Sequence, residues 1–260
     1  MSGSMNSAMQ RRLFWRSLLL QSCWNFERMQ SLGLAFCLEP WLAACWAGQD
    51  EAVCAARLRH QEYFNTQPYM ASLVIGMVCA LEEEAAAAPD GELCDRLVKR
   101  LRTLKTAAAS ALAGVGDALF WGALRPLCVG SAVAGVLVLW DRPLWAALWA
   151  AGAYLVVHNA LALVLRWRFL RLGYEWRDQI AVCLKGWPVQ GVIRALRWAG
   201  LALVLAGAAL LLRATPPQQR LVGVLAMAAA LLLRRARVSS YRIYAIGILF
   251  GGAASWAGWL

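Results

Sequence analysis

The sequence predicts an all-α integral membrane protein, polytopic, with amphipathic and re-entrant helices in its N-terminal half and about five membrane spans in its C-terminal half. Three observations predict it. Of 260 residues, 61% are hydrophobic and 14 are Trp, with a mean hydropathy of +0.52; soluble domains are only about half apolar. Apolar runs of span-like length are concentrated after residue 120, whereas the half before it mixes polar and apolar segments. The net charge of +11 comes from short basic clusters beside those runs, not from a stripe with a nucleic-acid-binding motif, so it reads as a topology signal and no nucleic-acid partner is expected.

The chain divides accordingly into 1–122, an interfacial and re-entrant helical region, and 123–260, the spanning helices. At the N-terminus, Arg11, Arg12 and Arg16 mingle with Leu13, Phe14, Trp15 and Leu18, the pattern of an amphipathic helix on the cytoplasmic face of a bilayer. Arg16 interrupts the only apolar stretch there and no small-residue cleavage site follows, so a cleavable signal peptide is not expected. Pro40 marks the end of this unit or of the helix after it. Residues 50–60 are mostly helix formers, with Arg57 and His60 three apart.

The segment 62–84 sets Asn65-Thr66-Gln67-Pro68 against an apolar run that ends in Glu82-Glu83-Glu84. Pro68 restricts Gln67 to extended geometry and offers no N–H, so 65–67 form a non-helical elbow. The run 69–81 has 13 residues, short of the about 20 that a spanning helix needs, and reads as a buried or re-entrant helix. Residues 85–90, ending in Pro-Asp-Gly with residue 91, are a turn.

Five spans follow, at 124–140, 144–165, 199–212, 221–233 and 243–260. The basic clusters Lys99, Arg100, Arg102 and Lys105; Arg166, Arg168, Arg171 and Arg177; and Arg234, Arg235, Arg237 and Arg242 fall on one side of this arrangement. The positive-inside rule then places the N-terminus in the cytoplasm and the C-terminus outside.

Asp117 lies in Ala113-Gly-Val-Gly-Asp-Ala-Leu-Phe-Trp-Gly122, where an ionised carboxylate is costly unless paired or hydrated. It is a functional-site candidate, or else a cap within a helix-packing glycine cluster. No Gly-Lys-Ser/Thr follows and no strand precedes, which excludes a phosphate loop and a dinucleotide fingerprint. Around Trp24, the stretch 21–30 gathers two terminal Gln, Asn25, Glu27 and Arg28; amides and a carboxylate beneath an aromatic face suit a sugar, and equally suit a structural network. His158 reads as a neutral packing residue hydrogen-bonded with Asn159, and His60 as a surface or elbow-bracing residue rather than a phosphoryl acceptor. The eight cysteines form no C-x-x-C pair and have no His at metal spacing, so they are expected as reduced apolar fillers, with no metal, no cofactor and no catalytic centre in this chain.

Three blocks occur together and in order: Leu20-Gln-Ser-Cys-Trp-Asn-Phe-Glu-Arg-Met-Gln-Ser-Leu-Gly33; Arg59-His-Gln-Glu-Tyr-Phe-Asn-Thr-Gln-Pro68 with Ala80-Leu-Glu-Glu-Glu84; and Leu112-Ala-Gly-Val-Gly-Asp-Ala-Leu-Phe-Trp-Gly-Ala-Leu-Arg-Pro126. With them the chain resembles the IID component of the mannose/fructose/sorbose-type bacterial sugar phosphotransferase system. The resemblance is close over about 12–126 and weaker at 154–173 and toward the C-terminus. It implies a multi-pass protein of the bacterial inner membrane that pairs with a IIC subunit and moves a hexose by an elevator-like motion. Separate cytoplasmic IIA and IIB proteins carry the phosphoryl group, and IIC–IID pairs assemble into a higher-order oligomer. It also implies a sugar path lined by Trp24, Asn25, Asn65, Thr66, Gln67 and Asp117. The chain departs from the family where relatives carry a Gly-Leu-Met-Gly-Pro-like break and this sequence has Ala108-Ala-Ser-Ala111. Alanine favours helix there, which opens the rival reading of a non-transporting membrane platform that docks phosphotransferase proteins for signalling.

Overall fold

The computed structural model describes residues 5–256, and its regular elements are helices. The first, α1 (Ser7–Ser17), begins where the Asn6 side chain accepts the Met9 amide at 2.7 Å, relieving one of the unpaired donors of a helix start. Leu13 and Ser17 face inward while Arg11, Arg12 and Trp15 are exposed, so the helix is amphipathic.

After a looped stretch come α2 (Ser31–Cys45) and α3 (Asp50–Arg59). Pro40 does not end a helix: it lies inside α2. A proline there leaves the carbonyl four residues back without its helical donor, and that carbonyl, Phe36 O, accepts Arg16 Nε at 2.8 Å instead. Arg16 also stacks 3.7 Å above the Phe36 ring, so α1 repairs the defect in α2.

The helix α4 (Ala71–Ala86) follows the elbow and is buried over nearly its whole length. At about 24 Å it is too short to cross a hydrocarbon core of about 30 Å, and neighbouring helices cover it instead. The turn at 87–90 ends with Asp90 capping the Leu93 amide at 2.7 Å, and α5 (Gly91–Gly116) starts there. A π-helical stretch, Asp117–Leu124, carries the rod into α6 (Arg125–Val138). Within it the Arg125 amide bonds Phe120 O, five residues back, just before Pro126, which cannot donate at all. The rod passes unbroken through Ala108-Ala-Ser-Ala111.

A second rod comprises α7 (Pro143–Ala151), a π-helical Gly152–His158, α8 (Asn159–Trp176), a single 3-10 turn Arg177–Gln179 and α9 (Ile180–Lys185). Then come α10 (Val189–Ala214), α11 (Pro217–Arg235) and α12 (Ser240–Trp256). Among the described residues three helices, Gly91–Val138, Pro143–Lys185 and Val189–Arg213, are long and apolar enough to cross a membrane, where the sequence suggests about five spans. The apolar stretch of α11, 221–233, reaches only about 20 Å before its arginines. The span at 243–260 runs into residues 257–260, which lie outside the described residues.

The core joins α4 to α8 at nearly backbone contact. A Cβ placed on Gly76 would sit 2.0 Å from Leu170 O, and one on Gly173 would sit 2.0 Å from Leu73 O. Each glycine therefore admits the other helix's main chain, the close approach that small residues permit in membrane helix pairs. The expected consequence is specific. Gly76→Ala forces the two helices apart at an overpacking cost of about 1–3 kcal/mol or more, so its thermal midpoint in detergent falls by several degrees. Gly91→Ala, where a Cβ meets nothing within 4 Å, leaves the midpoint unchanged or slightly higher.

Candidate functional site

The two N-terminal polar motifs meet at the elbow. Met29, held at φ 55°, pairs as an isolated bridge with both Asn25 and Phe64. The Gln30 amide donates to Phe64 O at 2.8 Å, its Nε2 donates to Thr66 O at 2.8 Å, and its Oε1 accepts the Thr66 amide at 3.2 Å. Gln30 thus occupies three of the main-chain groups that a non-helical elbow would leave unpaired. The Thr66 hydroxyl donates to Ala109 O on α5 at 2.9 Å. Gln67 Oε1 accepts the Tyr69 and Met70 amides at 2.7 and 3.0 Å, capping the start of α4, while its Nε2 is buried without a partner.

The expected site residues therefore differ in what they offer. Thr66 and Gln67 are buried, Asn25 is half-buried and its Oδ1 accepts the Arg28 amide at 2.8 Å, and Trp24, Asn65 and Asp117 are exposed. Trp24 stacks edge-on with the exposed Phe26 at 4.7 Å. Asp117 does not sit among apolar side chains inside the protein, as its sequence neighbours suggest. It follows Gly116, whose Cβ would lie 2.6 Å from Gln67 Cβ, so the glycine packs on the elbow and the carboxylate points outward.

Two clefts flank the elbow. One, of about 340 Å³, is lined by Asn65 with Tyr63, Lys105, Thr106 and Ser110 among others. The other, of about 350 Å³, brings together Gln21, Pro68, Tyr69, Trp121, Asn159 and Arg166. Both volumes fall in the roughly 300–1,000 Å³ range of small-molecule sites. Tyr69, Trp121 and Arg166 are not singled out by sequence, although Tyr69 follows the elbow proline and Trp121 lies in the glycine-rich block. Arg166 is buried rather than a free member of a basic cluster: it donates to Ser17 O and lies 5.6 Å over the Tyr69 ring. His158 is buried too, but not through Asn159, whose amide donates to Leu155 O at 2.8 Å. Tyr154 and Trp121 stack on the imidazole, and its Nε2 lies 3.5 Å from the Tyr69 hydroxyl.

Behind the elbow lies an ion cluster. Glu82 Oε1 accepts Arg59 Nε at 2.7 Å and faces His60 Nε2 at 2.8 Å; Oε2 accepts Arg59 Nη2 at 2.6 Å and Trp46 Nε1 at 2.9 Å. His60 is thus fully buried rather than a surface residue. Lys105 Nζ donates to Arg59 O at 2.7 Å and is buried as well. The other two acids of the triplet take separate partners: Glu83 accepts from the Tyr174 hydroxyl and Glu84 faces Arg100 at 4.0 Å. Burial pushes the Glu82 carboxyl up, but the hydrogen bonds from Arg59 and His60 outweigh it and bring its pKa to about 2. Burial holds His60 below its ordinary value of 6.5 against the pull of Glu82.

Comparison with known proteins identifies this architecture. Residues 4–213 match the family model for the mannose/fructose/sorbose family IID component of the phosphotransferase system. The chain belongs to this IID family. It is 36% identical over 169 residues to the mannose-specific EIID component of Escherichia coli K12, covering 64% of this chain and 54% of that protein. It is 36% identical over 160 residues to the sorbose-specific EIID component of Lacticaseibacillus casei, covering 60% and 50%. The chain spans about half the length of the curated relatives it matches. A chain in the cryo-EM structure of the mannose transporter ManYZ with microcin E492 is similar over 97% of both chains, at 28% identity and a TM-score of 0.57. A second structure, described as that of a membrane protein, is similar over 98% of both chains at 27% identity, with a TM-score of 0.72. This IID protein is thus a membrane protein of a sugar phosphotransferase system.

The ion cluster generates a pH prediction. Below pH 6.5 the unfolded chain binds more protons than the folded one, first at His60 and then, below about pH 4.5, at Glu82, so stability present at pH 7 declines as pH falls. Glu82→Gln strands the buried Arg59 charge and costs about 3–5 kcal/mol at pH 7. Thermal unfolding in detergent at pH 7, 5.5 and 4 should show a falling midpoint for the wild type, and at pH 7 a clearly lower midpoint for the variant.

Proposed function

We propose that this chain is the IID subunit of a mannose-type transporter, pairing with a IIC subunit to translocate a hexose that a separate IIB protein phosphorylates. The observation that carries this reading is the family match over 4–213, which includes all three polar blocks and both sides of the elbow. Two features support it. Both histidines of the chain are buried, His60 in the ion cluster and His158 among aromatic rings, which suits a phosphoryl acceptor on another protein. The outward-facing Trp24, Asn65 and Asp117 lie beside the elbow and present a polar surface that another molecule can complete.

In this reading Trp24, Asn25, Asn65 and Asp117 contact the sugar path at the IIC interface, Thr66 holds the elbow on α5, and Gln67 caps α4. A hexose presents hydroxyls that each donate and accept, which amides and a carboxylate satisfy and an apolar wall does not. The subunit sits in the bacterial inner membrane with its N-terminus in the cytoplasm, served by cytoplasmic IIA and IIB proteins, and its IIC–IID pairs assemble further. Translocation proceeds by an elevator-like motion of the pair.

One observation favours the second reading, a docking platform without transport: α5 is continuous helix through 108–111, where the family's break would supply a hinge. One experiment separates the two. Co-expressed with its IIC subunit and purified in detergent, the chain is expected in a stable complex that binds hexose. Asn65→Ala and Asp117→Asn each weaken that binding by about 5- to 150-fold, the equivalent of about 1–3 kcal/mol. Cys54→Ala, on the exposed surface of α3, leaves it unchanged. A complex that recruits IIB but binds and transports no hexose decides for the platform, and normal transport with both substitutions rejects this site.

A further inference from the structure

The C-terminal third has an unbalanced composition. Residues 179–260 contain nine Lys and Arg and no Asp or Glu, so no acidic side chain within that third can neutralise them. Four of the nine, Arg234, Arg235, Arg237 and Arg242, crowd the turn between α11 and α12. All four are exposed, and among the described residues none has an ion-pair partner. The turn itself puts an arginine where glycine is cheapest. Arg237 has φ 60°, and the Val238 amide closes back on Leu233 O at 3.0 Å, a helix ending whose left-handed residue is usually Gly.

The same turn closes one end of an apolar groove of about 390 Å³ between α11 and α12. Leu233 and Ile243, each adjacent in sequence to one of the arginines, line the end at the turn, and Val222 and Phe250 line the other. Between them Ala226, Ala229 and Ala230 face Gly247. Side chains this short do not fill the space between two helices, so a furrow runs from the cationic turn along the apolar pair.

We propose that the α11–α12 hairpin seats one anionic phospholipid, with an acyl chain in the groove and the phosphodiester on Arg234, Arg235, Arg237 and Arg242. The charge complementarity is direct: planar guanidinium groups pair with phosphate oxygens through parallel hydrogen bonds, and the chain's own acids lie elsewhere. The apolar groove fixes the ligand's other half, since burying methylenes against Val, Leu, Ile and Phe side chains positions a chain that starts at the headgroup. An inorganic anion would use the turn and leave the groove without a role. This lipid site shares no residue with the proposed sugar path.

The test uses the full chain, purified in detergent and titrated with phosphatidylglycerol or with phosphatidylcholine of the same acyl chains, retention being read by native mass spectrometry. The wild type should hold one phosphatidylglycerol at least about tenfold more tightly than phosphatidylcholine. Removing one turn arginine, as in Arg235→Gln, should lower that preference about fivefold, the equivalent of about 1 kcal/mol per basic residue near an anionic headgroup. Ala226→Leu/Ala230→Leu fills the groove, keeps every arginine and exchanges one strong helix former for another; it should release phosphatidylglycerol. Equal retention of the two lipids by the wild type overturns the proposal and leaves the arginines to an acidic protein partner. Undiminished phosphatidylglycerol binding by the groove-filled variant overturns it as well.

Discussion

The charge of Glu82 has to be matched inside the protein, and the N-terminal half is arranged to do so. Its carboxylate is wholly buried at the end of a helix with almost no exposed face. An unpaired charge there would be prohibitive. The indole of Trp46 comes from just after α2, the guanidinium of Arg59 from the last residue of α3, and the imidazole of His60 from the residue after it. Three helix ends are thereby drawn to one point. Arg59 passes the constraint on, because its carbonyl accepts the buried Lys105 ammonium of α5. The chain must then leave His60 and re-enter at Ala71, and the elbow is that connection.

The elbow and the α4–α8 crossing depend on each other through backbone chemistry. Because 64–67 is not helical, its amides and carbonyls need partners: Gln30 bonds Phe64 O and both main-chain groups of Thr66, while the Thr66 hydroxyl and Gln67 Oε1 tie the elbow to α5 and to the start of α4. That lets α4 begin at Ala71 in the register that sets Gly76 against Leu170 and Gly173 against Leu73. Glu83 and Glu84 then fall toward Tyr174 on α8 and Arg100 on α5. Three consecutive acids thus serve three neighbours, which is why a short buried helix ends in so much charge. The exposed Asn65 and Asp117 are held beside this packed unit.

Basic residues play two roles that the order of residues does not separate. Arg166 and Lys105 stand in clusters that read as topology signals, yet both are buried and bonded to main-chain carbonyls. Arg100 is partnered by Asp178 and Arg171 by Glu175. The arginines of the α11–α12 turn are left without acidic partners among the described residues, so electrostatic demand on the surroundings grows toward the C-terminus.

Membrane character, the helical class, the elbow at Asn65–Gln67, the amphipathic helix α1 and the family are all legible in the sequence. Each of these is written in local terms: apolar run length, a proline that forbids a helical predecessor, alternating basic and aromatic residues, and three long blocks in order. Tertiary structure decided the rest, because the deciding partners lie far apart in the chain. Pro40 continues its helix because Arg16, 24 residues earlier, satisfies the carbonyl it orphans. His60 is buried because Glu82 reaches it from another helix, and Asp117 is exposed because Gly116 rather than the carboxylate turns to the elbow. Whether a polar side chain binds a ligand, caps a helix or matches a buried charge depends on what is packed against it, and packing between distant segments leaves no periodic mark in the sequence.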